Sequence, residues 1–253
     1  MKDEYNKIEA ILYDLSSKNK KDDILFYLKY AKASGGEVLE LGCGTGRVSI
    51  PLIEQGVKVT AIDSSQNMIR VLREKVRNLE NRKYIKIIRG DLTKIKLNKK
   101  FNLIIMPFRV FQCLSNVNEQ QEALSNIKRH LTPNGLLIFD IYYPNLKILS
   151  NIPSQEEIDC EFILRNKRIV KSHVNRGIDI SNQTVTTDII YYECFRGKKK
   201  IISRNAVKTR YSFRFEVEHL LKLNGFFIKQ LLSDYKSQKF VVGKEMVFVC
   251  GRR

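Results

Sequence analysis

The sequence has no tryptophan, three histidines and only five prolines among its 253 residues. It also lacks an apolar run near the ~18 residues that a membrane-spanning helix needs, since the most apolar stretch, Phe101 to Phe108, contains Asn102 and is followed by Arg109. Its five cysteines are odd in number and include no C-x-x-C pair and no histidine at ligand spacing. We therefore expect a folded chain with no membrane span, no disulfide framework and no metal site.

Acidic residues are scarce beside basic ones: 27 Asp and Glu stand against 45 Lys and Arg, a formal net charge of +18. Such a balance attracts anionic substrates, membrane surfaces or nucleic acid. The basic residues are spread along the chain, with the densest patch only at Arg196–Lys200, which favours a solvated surface. A small acceptor that carries negative charge and, less favoured, a nucleic acid stay open as partners. No hydrophobic signal core follows the acidic start, so we expect a cytoplasmic protein.

Strand and helix patterns alternate through the first 141 residues. Two helices fit residues 6–34, and Gly35–Gly36 ends them. The spacing then predicts strands at 38–41, 57–62, 85–89, 101–106 and 136–141, and helices at 47–55, 66–79 and 119–131. This alternation predicts an α/β fold with a mostly parallel sheet and helices on both of its faces.

The composition changes over residues 162–213, which are rich in Ile, Val, Thr and Tyr and show no helical period. Three long stretches, separated by turns at Asn175–Gly177 and Arg196–Lys198, predict an antiparallel meander. A helix at 214–223 and strands at 226–232 and 245–250 return to the first pattern. We therefore predict an α/β core at 1–161, an inserted sheet at 162–213, and a segment at 214–253 that completes the core.

A glycine-rich turn follows the first strand, in the segment Glu40-Leu41-Gly42-Cys43-Gly44-Thr45-Gly46. Glycine lets the backbone approach a ligand closely and adopt a positive φ. Arg47 stands where the dinucleotide pattern G-x-G-x-x-G needs its third glycine, so the pattern here is G-x-G-x-G. The next strand ends in Asp63, where a carboxylate can accept both hydroxyls of a ribose. Because Ser64 or Ser65 can cap the following helix, we expect the Asp63 carboxylate to be free for that role.

Five segments resemble, in this order, the motifs of class I S-adenosylmethionine-dependent methyltransferases of the small-molecule type: VLELGCGTGR, VTAIDSSQNM, IRGDL, FNLIIMPFRVFQCL and LTPNGLLIFDIYYP. The resemblance covers residues 38 to about 144 by motif and the remainder by layout only. It implies a Rossmann-like, mostly parallel seven-stranded sheet with helices on both faces and an antiparallel β insertion, a lid over the acceptor, after the fifth strand. It further implies S-adenosylmethionine as cofactor, S-adenosylhomocysteine as product, and methyl transfer by in-line displacement to N or O of a small molecule.

The resemblance also implies a set of cofactor contacts. Tyr13 would fold over the cofactor from an N-terminal helix, and Glu40 would order the glycine turn or, through water, the cofactor's amino group. The methionine end would contact Gly42, Cys43, Gly44 and Gly46, and the ribose would contact Asp63. The adenine would contact Ser64, Met68, Asp91 and Leu92. The sulfonium would lie beside Met106 and Pro107.

The acceptor side is less defined by sequence. Met106-Pro107-Phe108-Arg109 stands where methyltransferases that act on base amines usually carry N-P-P-[FYW], which favours a small molecule. Arg109, Gln112 and His173 are the candidates to face the acceptor, with helix capping as the alternative for the first two. No catalytic residue is identified.

Two other functions stay open: an enzyme that methylates RNA or another macromolecule through the basic surface, and a cofactor-binding protein without catalysis. The glycine turn and the two acids count against the second. Arg47 either pairs with the cofactor's carboxylate or is solvated, and we expect His130 to cap a helix and His219 to be structural. We expect the insertion to determine the acceptor and to contribute little to cofactor binding.

Overall fold

The computed structural model describes residues 5–241 and 245–253, which form two β-sheets and seven α-helices. The strands are β1 (Val38–Leu41), β2 (Val59–Asp63), β3 (Ile85–Arg89), β4 (Phe101–Met106), β5 (Leu131–Tyr142), β6 (Glu157–Leu164), β7 (Lys167–Asp179), β8 (Thr184–Phe195), β9 (Lys198–Arg210), β10 (Phe226–Leu232) and β11 (Glu245–Arg252). The helices are α1 (Lys7–Ser17), α2 (Ile24–Ser34), α3 (Ser49–Glu54), α4 (Gln66–Val76), α5 (Val117–His130), α6 (Leu146–Ser150) and α7 (Arg214–Leu223).

The larger sheet has seven strands in the order β10-β11-β5-β4-β1-β2-β3. Strands β1 to β5 pair in parallel, and β11 pairs antiparallel with both β5 and β10. This arrangement confirms the predicted Rossmann-like sheet. No helix within the described residues is both long and apolar enough to cross a membrane.

The central strands are apolar on both faces because each face is covered by helices. In β4, Ile104 and Met106 belong to the hydrophobic cluster on one side of the sheet, whereas Leu103 and Ile105 belong to the cluster on the other. All four side chains are fully buried. Continuous apolar runs of this kind are typical of parallel strands, which explains why the strands were visible in the sequence.

The strand order reverses between β1 and β4. From β1 the chain moves outward through β2 and β3, and then crosses back to place β4 on the other side of β1. In open α/β sheets, ligands bind in the crevice at the carboxyl ends of the strands where this reversal occurs. The glycine turn after β1 and the segment after β4 therefore meet at the predicted site.

The inserted sheet differs in detail from the prediction. It contains four antiparallel strands, β6-β7-β8-β9, and begins at Glu157 rather than at residue 162. Asn175–Gly177 is not a turn but lies within β7, at a shift in its register with β8. The first hairpin instead turns at Arg165 and Asn166, which have φ values of 50° and 61°. Because this turn has no glycine, the sequence pattern did not indicate it. The division of the chain into three parts stays a prediction.

Helix α1 joins the inserted sheet to the core. Leu12 is fully buried and clusters with Ile169 and Tyr191 of the insertion. On the same helix, the Glu9 carboxylate accepts a hydrogen bond of 2.9 Å from the Ser203 hydroxyl of β9. The opposite side of α1 contributes Ala10 to a cluster with residues of α4. The insertion is therefore attached to the core through α1.

We expect Leu12→Ala to lower the free energy of unfolding by about 2–5 kcal/mol, because it leaves a cavity between α1 and the inserted sheet. Ile8→Ala, on the same helix, is the matched control: Ile8 is 40% exposed, so its truncation should change stability by less than ~0.5 kcal/mol. Urea unfolding of both variants measures the difference. Equal losses of unfolding free energy in the two variants would show that packing of Leu12 against the insertion does not stabilise α1.

Candidate cofactor and acceptor site

Two glycines of the turn after β1 are required by packing. Gly42 and Gly46 have φ values of +71° and +83°, a region that residues with a side chain rarely adopt. A Cβ added to Gly42 would lie 2.4 Å from Val110, and one added to Gly46 would lie 2.3 Å from Leu72. Because these two positions have no side chain, the turn packs closely against Val110 and Leu72. This packing requires glycine whether or not a ligand binds.

Gly44 is different, because its open side faces space. A Cβ at this position would meet only Tyr13, whose Cε1 would be 3.8 Å away. The Gly44 amide donates a 2.8 Å hydrogen bond to Asp63 Oδ2, at the end of β2. The turn therefore presents bare backbone to a space bordered by the Tyr13 ring and the Asp63 carboxylate, as a cofactor that lies against the turn requires.

The expectation that Asp63 is free of structural bonds is wrong. Besides the Gly44 amide, the amide of Ser65 donates to its Oδ1 at 2.8 Å. Ser65 also caps α4, since its hydroxyl accepts from the Met68 amide at 3.3 Å. The cap is thus supplied by Ser65, as expected, but Asp63 orders both turns that flank the site. A carboxylate oxygen accepts more than one hydrogen bond, so these two bonds are compatible with a role at a ribose.

Helix α1 lies over the glycine turn and carries Tyr13. Lys75 of α4 fixes it there, because its ammonium group is 2.6 Å from Asp14 of α1 and 2.9 Å from the carbonyl oxygen of Thr45. Burial raises the pKa of the Tyr13 phenol, so this group stays neutral over the physiological range. Tyr13 therefore lies beside the glycine turn, and its predicted contact with the cofactor stays a prediction.

The predicted adenine contacts follow β2 and β3. Met68 is buried beside Ala10 of α1, and Ser64 is partly buried. Asp91 accepts hydrogen bonds from the amide and the hydroxyl of Thr93, at 2.9 and 2.8 Å. Burial opposes ionisation of Asp91, but the Thr93 bonds outweigh it and lower its pKa. Leu92 is 3% exposed and belongs to the core.

Three further predicted cofactor residues are buried, which limits what they can contact. Met106 has no exposed surface and its side chain packs in the core, so direct contact with a sulfonium would require the core to open. Pro107 is also buried, as is Cys43, whose thiol pKa is raised chiefly by burial. Backbone groups rather than these side chains are available to a ligand.

Glu40 orders the turn from below. It is 2% exposed, and the hydroxyl of Ser49 in α3 donates a hydrogen bond to its carboxylate. Burial raises the Glu40 pKa to about 7, although the Ser49 bond opposes this shift. The hydrogen bond from Ser49 therefore supports the alternative in which Glu40 orders the loop.

The segment after β4 is strained. Phe108 and Arg109 are consecutive residues with a side chain and φ values of 61° and 67°. Their amides donate to the carboxylate of Asp140 on β5, at 2.8 and 3.0 Å, and Tyr27 of α2 donates to it at 3.1 Å. Left-handed conformations cost of order 1–3 kcal/mol each and persist where the surroundings impose them, often at functional sites.

Two of the acceptor candidates are occupied by the protein itself. The Arg109 guanidinium pairs with Glu245 of β11 and lies 3.5 Å from the centre of the Tyr142 ring. The Gln112 amide donates to the carbonyl oxygen of Arg210 at 3.1 Å and accepts from the Tyr142 amide at 2.8 Å. The Gln112 amide is therefore used within the protein, whereas Arg109 Nε and Glu245 Oε2 are buried without a hydrogen-bond partner among the described residues. Contact of Arg109 with an acceptor stays a prediction.

His173 is placed by residues that the sequence did not single out. Its Nδ1 lies 2.7 Å from Asp159 Oδ1, and the Lys171 ammonium lies 3.0 Å from Asp159 Oδ2. Burial opposes ionisation of Asp159, but the hydrogen bond from His173 and the charge of Lys171 lower its pKa to about 2. The bond to Asp159 raises the pKa of His173. No sequence pattern marked Asp159, because its position depends on a bulge in β6.

Arg47 and His130 are structural. Arg47 makes two 2.6 Å bonds to the carboxylate of Asp23 and is mostly buried, so the solvated environment is wrong and its pairing with a cofactor carboxylate stays a prediction. His130 is buried at the end of α5, where Nδ1 donates to the carbonyl oxygen of Asn126 and Nε2 accepts from the Leu97 amide. No group of three or more His, Cys, Asp and Glu side chains arranged to hold a metal occurs within residues 5–241 and 245–253.

Comparison with known proteins places the predicted motifs in a known family model. Residues 38–135 match the sequence model of a family described as "Methyltransferase domain". Over these residues the chain is similar to methyltransferase domains. A ubiquinone biosynthesis O-methyltransferase of Rickettsia canadensis (strain McKiel) is 31% identical over 109 residues, which cover 43% of this chain and 44% of that protein. The chain thus spans less than half the length of this curated relative.

Solved structures resemble this chain over nearly its whole length. The CcbJ methyltransferase from Streptomyces caelestis has a TM-score of 0.76 and 23% identity, covering 93% of this chain and 90% of that one. S-adenosylmethionine-bound CalS10, an amino pentose methyltransferase from Micromonospora echinaspora, has a TM-score of 0.73 and 15% identity, covering 98% of both. At these identities the likeness shows the fold. Together with the match to the domain family, it agrees with the predicted class, and one of these neighbours is described as bound to S-adenosylmethionine, the predicted cofactor.

We expect Glu40→Gln to flatten the dependence of stability on pH. Because the Glu40 pKa in the folded state is raised to about 7, the unfolded chain loses this proton first, and the free energy of unfolding falls as pH rises from about 4.5 to about 7. The wild type should lose on the order of 3 kcal/mol more than the variant between pH 4.5 and 8 in urea unfolding. Glu54→Gln, exposed on α3, is the control and should behave as wild type. Equal losses in all three proteins would contradict a protonated Glu40.

Proposed function

We propose that this protein transfers a methyl group from S-adenosylmethionine to N or O of a small-molecule acceptor, in the space between the glycine turn and the inserted sheet. The observation that carries the proposal is the open side of Gly44, which lies between Tyr13 and Asp63. Asp63 would hold the ribose, Asp91 the adenine, and Tyr13 would cover the cofactor. When bound, S-adenosylmethionine supplies an electrophilic methyl group on its sulfonium.

The residues of the site act mainly by positioning. Displacement at a methyl group needs the nucleophile in line and near 3 Å, and such placement can account for several kcal/mol of the barrier. The Asp140 carboxylate fixes the backbone of Phe108 and Arg109 at the end of β4, beside the glycine turn. Helix α1 and the inserted sheet cover the space from the other side and exclude water from it.

A small acceptor is supported by the enclosure of the site. The inserted sheet contacts α1, through Tyr191 and Leu12, and the end of β9 is bonded to Gln112 beside the glycine turn. A cover attached at both ends leaves little room for a macromolecular substrate. The amino pentose methyltransferase CalS10 has the same fold over 98% of both chains, and its acceptor class fits this arrangement.

The basic surface supports a macromolecular substrate only weakly. A cavity of about 540 Å³ is lined by five lysines, Lys58, Lys83, Lys86, Lys96 and Lys99. These residues lie at the amino-terminal ends of β2, β3 and β4, whereas the glycine turn lies at the carboxyl end of β1. A polyanion bound there would contact the opposite edge of the sheet from the methyl group.

The test combines cofactor binding with a substrate screen. Calorimetry should show binding of S-adenosylmethionine and S-adenosylhomocysteine and none of NAD. Release of S-adenosylhomocysteine is then followed with a panel of amino sugars, amino acids, alkylamines, phenols and total RNA. We expect turnover with a small amine or hydroxyl compound. Turnover with RNA alone, together with retention on heparin at ~200 mM salt, would overturn the small-molecule assignment.

We expect Asp63→Ala to weaken S-adenosylhomocysteine binding by about a hundredfold or more, because two hydrogen bonds to a charged group are lost. It should also lower the melting temperature, since the Gly44 and Ser65 amides lose their acceptor. Ser65→Ala is the control: it removes the cap of α4, at about 1 kcal/mol of stability, and should change the dissociation constant less than threefold. A destabilised Asp63→Ala protein with a similarly small change in affinity would show that Asp63 only orders the turns.

A further inference from the structure

We propose that His173, oriented by Asp159, accepts the proton that the attacking atom of the acceptor releases during methyl transfer. The inference rests on the proposed function and adds two things to it, a catalytic residue and a limit on the acceptor. Its basis is a His–Asp pair on the side of the inserted sheet that covers the site, 2.7 Å apart between Nδ1 and Oδ1.

A β-bulge aims Asp159 at this side. Ile158 pairs with Ser172 and Cys160 pairs with Lys171, which leaves Asp159 as an extra residue between them. Bulges re-aim single side chains and are common beside active sites. The carboxylate that results reaches both Lys171 and His173, two residues apart on β7 and therefore on the same face of the strand.

This face is turned toward α1 and the core. Ile169, two residues before Lys171, clusters with Leu12 of α1. Tyr191, the cross-strand partner of Lys171, lies with its hydroxyl 3.4 Å from the Ser16 hydroxyl of α1. His173 follows on the same face, toward the end of the sheet that is bonded to Gln112 after β4. It therefore shares the face of the inserted sheet that packs on α1.

Asp159 also interacts with groups that border this space. Burial chiefly raises the pKa of Tyr142, and the Asp159 charge adds to the shift. Burial chiefly lowers the pKa of Lys20, which follows α1, and the Asp159 charge opposes that shift. The pair is thus close to the segment after β4 and to the end of α1 at once, between which an acceptor would enter.

The hydrogen-bond pattern defines the chemistry of the imidazole. An ionised Asp159 accepts from Nδ1–H, which leaves the lone pair of neutral His173 on Nε2. No protein group within the described residues hydrogen-bonds to Nε2, and the side chain is 28% exposed. An imidazole fixed in this way by a carboxylate is the usual form of a general base.

The step balances as follows. The acceptor's N or O forms a bond to the methyl carbon, the C–S bond breaks with its electron pair going to sulfur, and the proton of the attacking atom passes to Nε2. The acceptor must therefore carry a hydrogen on that atom. Such a base assists primary and secondary amines and hydroxyl compounds, and it gives no advantage to tertiary amines and thioethers, which release no proton.

Charged groups facing His173 set the pH range of this step. On β6 they are Asp159 and Glu157, and on β7 Lys171; the facing residue of β8 is the uncharged Ile189. The bond to Asp159 raises the pKa of His173, whereas Lys171 lowers it. Since only the neutral imidazole accepts a proton, the rate should rise as pH passes through this pKa.

The first test needs no acceptor. Nitrogen NMR of the S-adenosylhomocysteine-bound protein, titrated to a pH above the His173 pKa, should show the neutral imidazole with its proton on Nδ1. Asp159→Asn should lower the pKa of His173, and Lys171→Met should raise it without changing the tautomer. His219, exposed on α7, is the internal reference and should not respond. A proton on Nε2, or a His173 pKa that ignores Asp159→Asn, would overturn the proposal even if methyl transfer is confirmed.

The second test uses the acceptor that the screen identifies. His173→Gln should lower kcat by about 10² to 10⁴ and abolish the rising limb of the pH profile, with S-adenosylhomocysteine affinity changed less than threefold. His219→Gln should retain wild-type kcat and pH profile. A His173→Gln enzyme with normal kcat, or preferred turnover of a tertiary amine, would overturn the proposal. Loss of cofactor binding in the wild type, by contrast, would contradict the proposed function instead.

Discussion

The site depends on one buried carboxylate, that of Asp140. It is fully buried on β5, and it accepts hydrogen bonds from the amides of Phe108 and Arg109 and from the Tyr27 hydroxyl. Burial raises its pKa, while the Arg109 charge and these bonds oppose the shift. A buried carboxylate costs free energy unless such partners satisfy it. Here the hydrogen bonds to Asp140 hold the left-handed backbone of Phe108 and Arg109 after β4. The carboxylate also joins α2, β4 and β5 at the carboxyl edge of the sheet.

Helix α1 is a wall shared by the two halves of the site. Its Tyr13 side borders the glycine turn, and its Leu12 side is buried by the insertion. The expectation that the insertion contributes little to cofactor binding treated it as an independent cover. Removing it would expose Leu12 and take from Glu9 its Ser203 partner, so α1 would lose contacts that hold it beside the glycine turn. The inserted sheet and the glycine turn are therefore connected through this helix.

The parts of the structure that were predictable are those set by local pattern. Apolar strands buried on both faces, such as β4, show in the sequence as continuous runs, and a positive φ at Gly44 shows as glycine. The unpredicted parts depend on contacts that are distant in sequence. The hairpin at Arg165–Asn166 has no glycine, and the role of Asp159 follows from a bulge in its pairing with β7. Likewise, the hydrogen bonds that Asp63 accepts from the amides of Gly44 and Ser65 could not be inferred from a strand-end position alone.

The charge of the chain and the charge of the site differ. Three cationic side chains around the site each have a carboxylate partner: Arg47 with Asp23, Arg109 with Glu245, and Lys171 with Asp159. Lys20 lies 4.8 Å from the centre of the Phe108 ring instead. The surplus of 18 positive charges is thus carried mainly elsewhere, including the lysine-lined cavity at the opposite edge of the sheet. Near the inserted sheet an acceptor would therefore meet paired charges, aromatic rings and the Lys20 ammonium group, and the total charge of the chain says little about the charge of this acceptor.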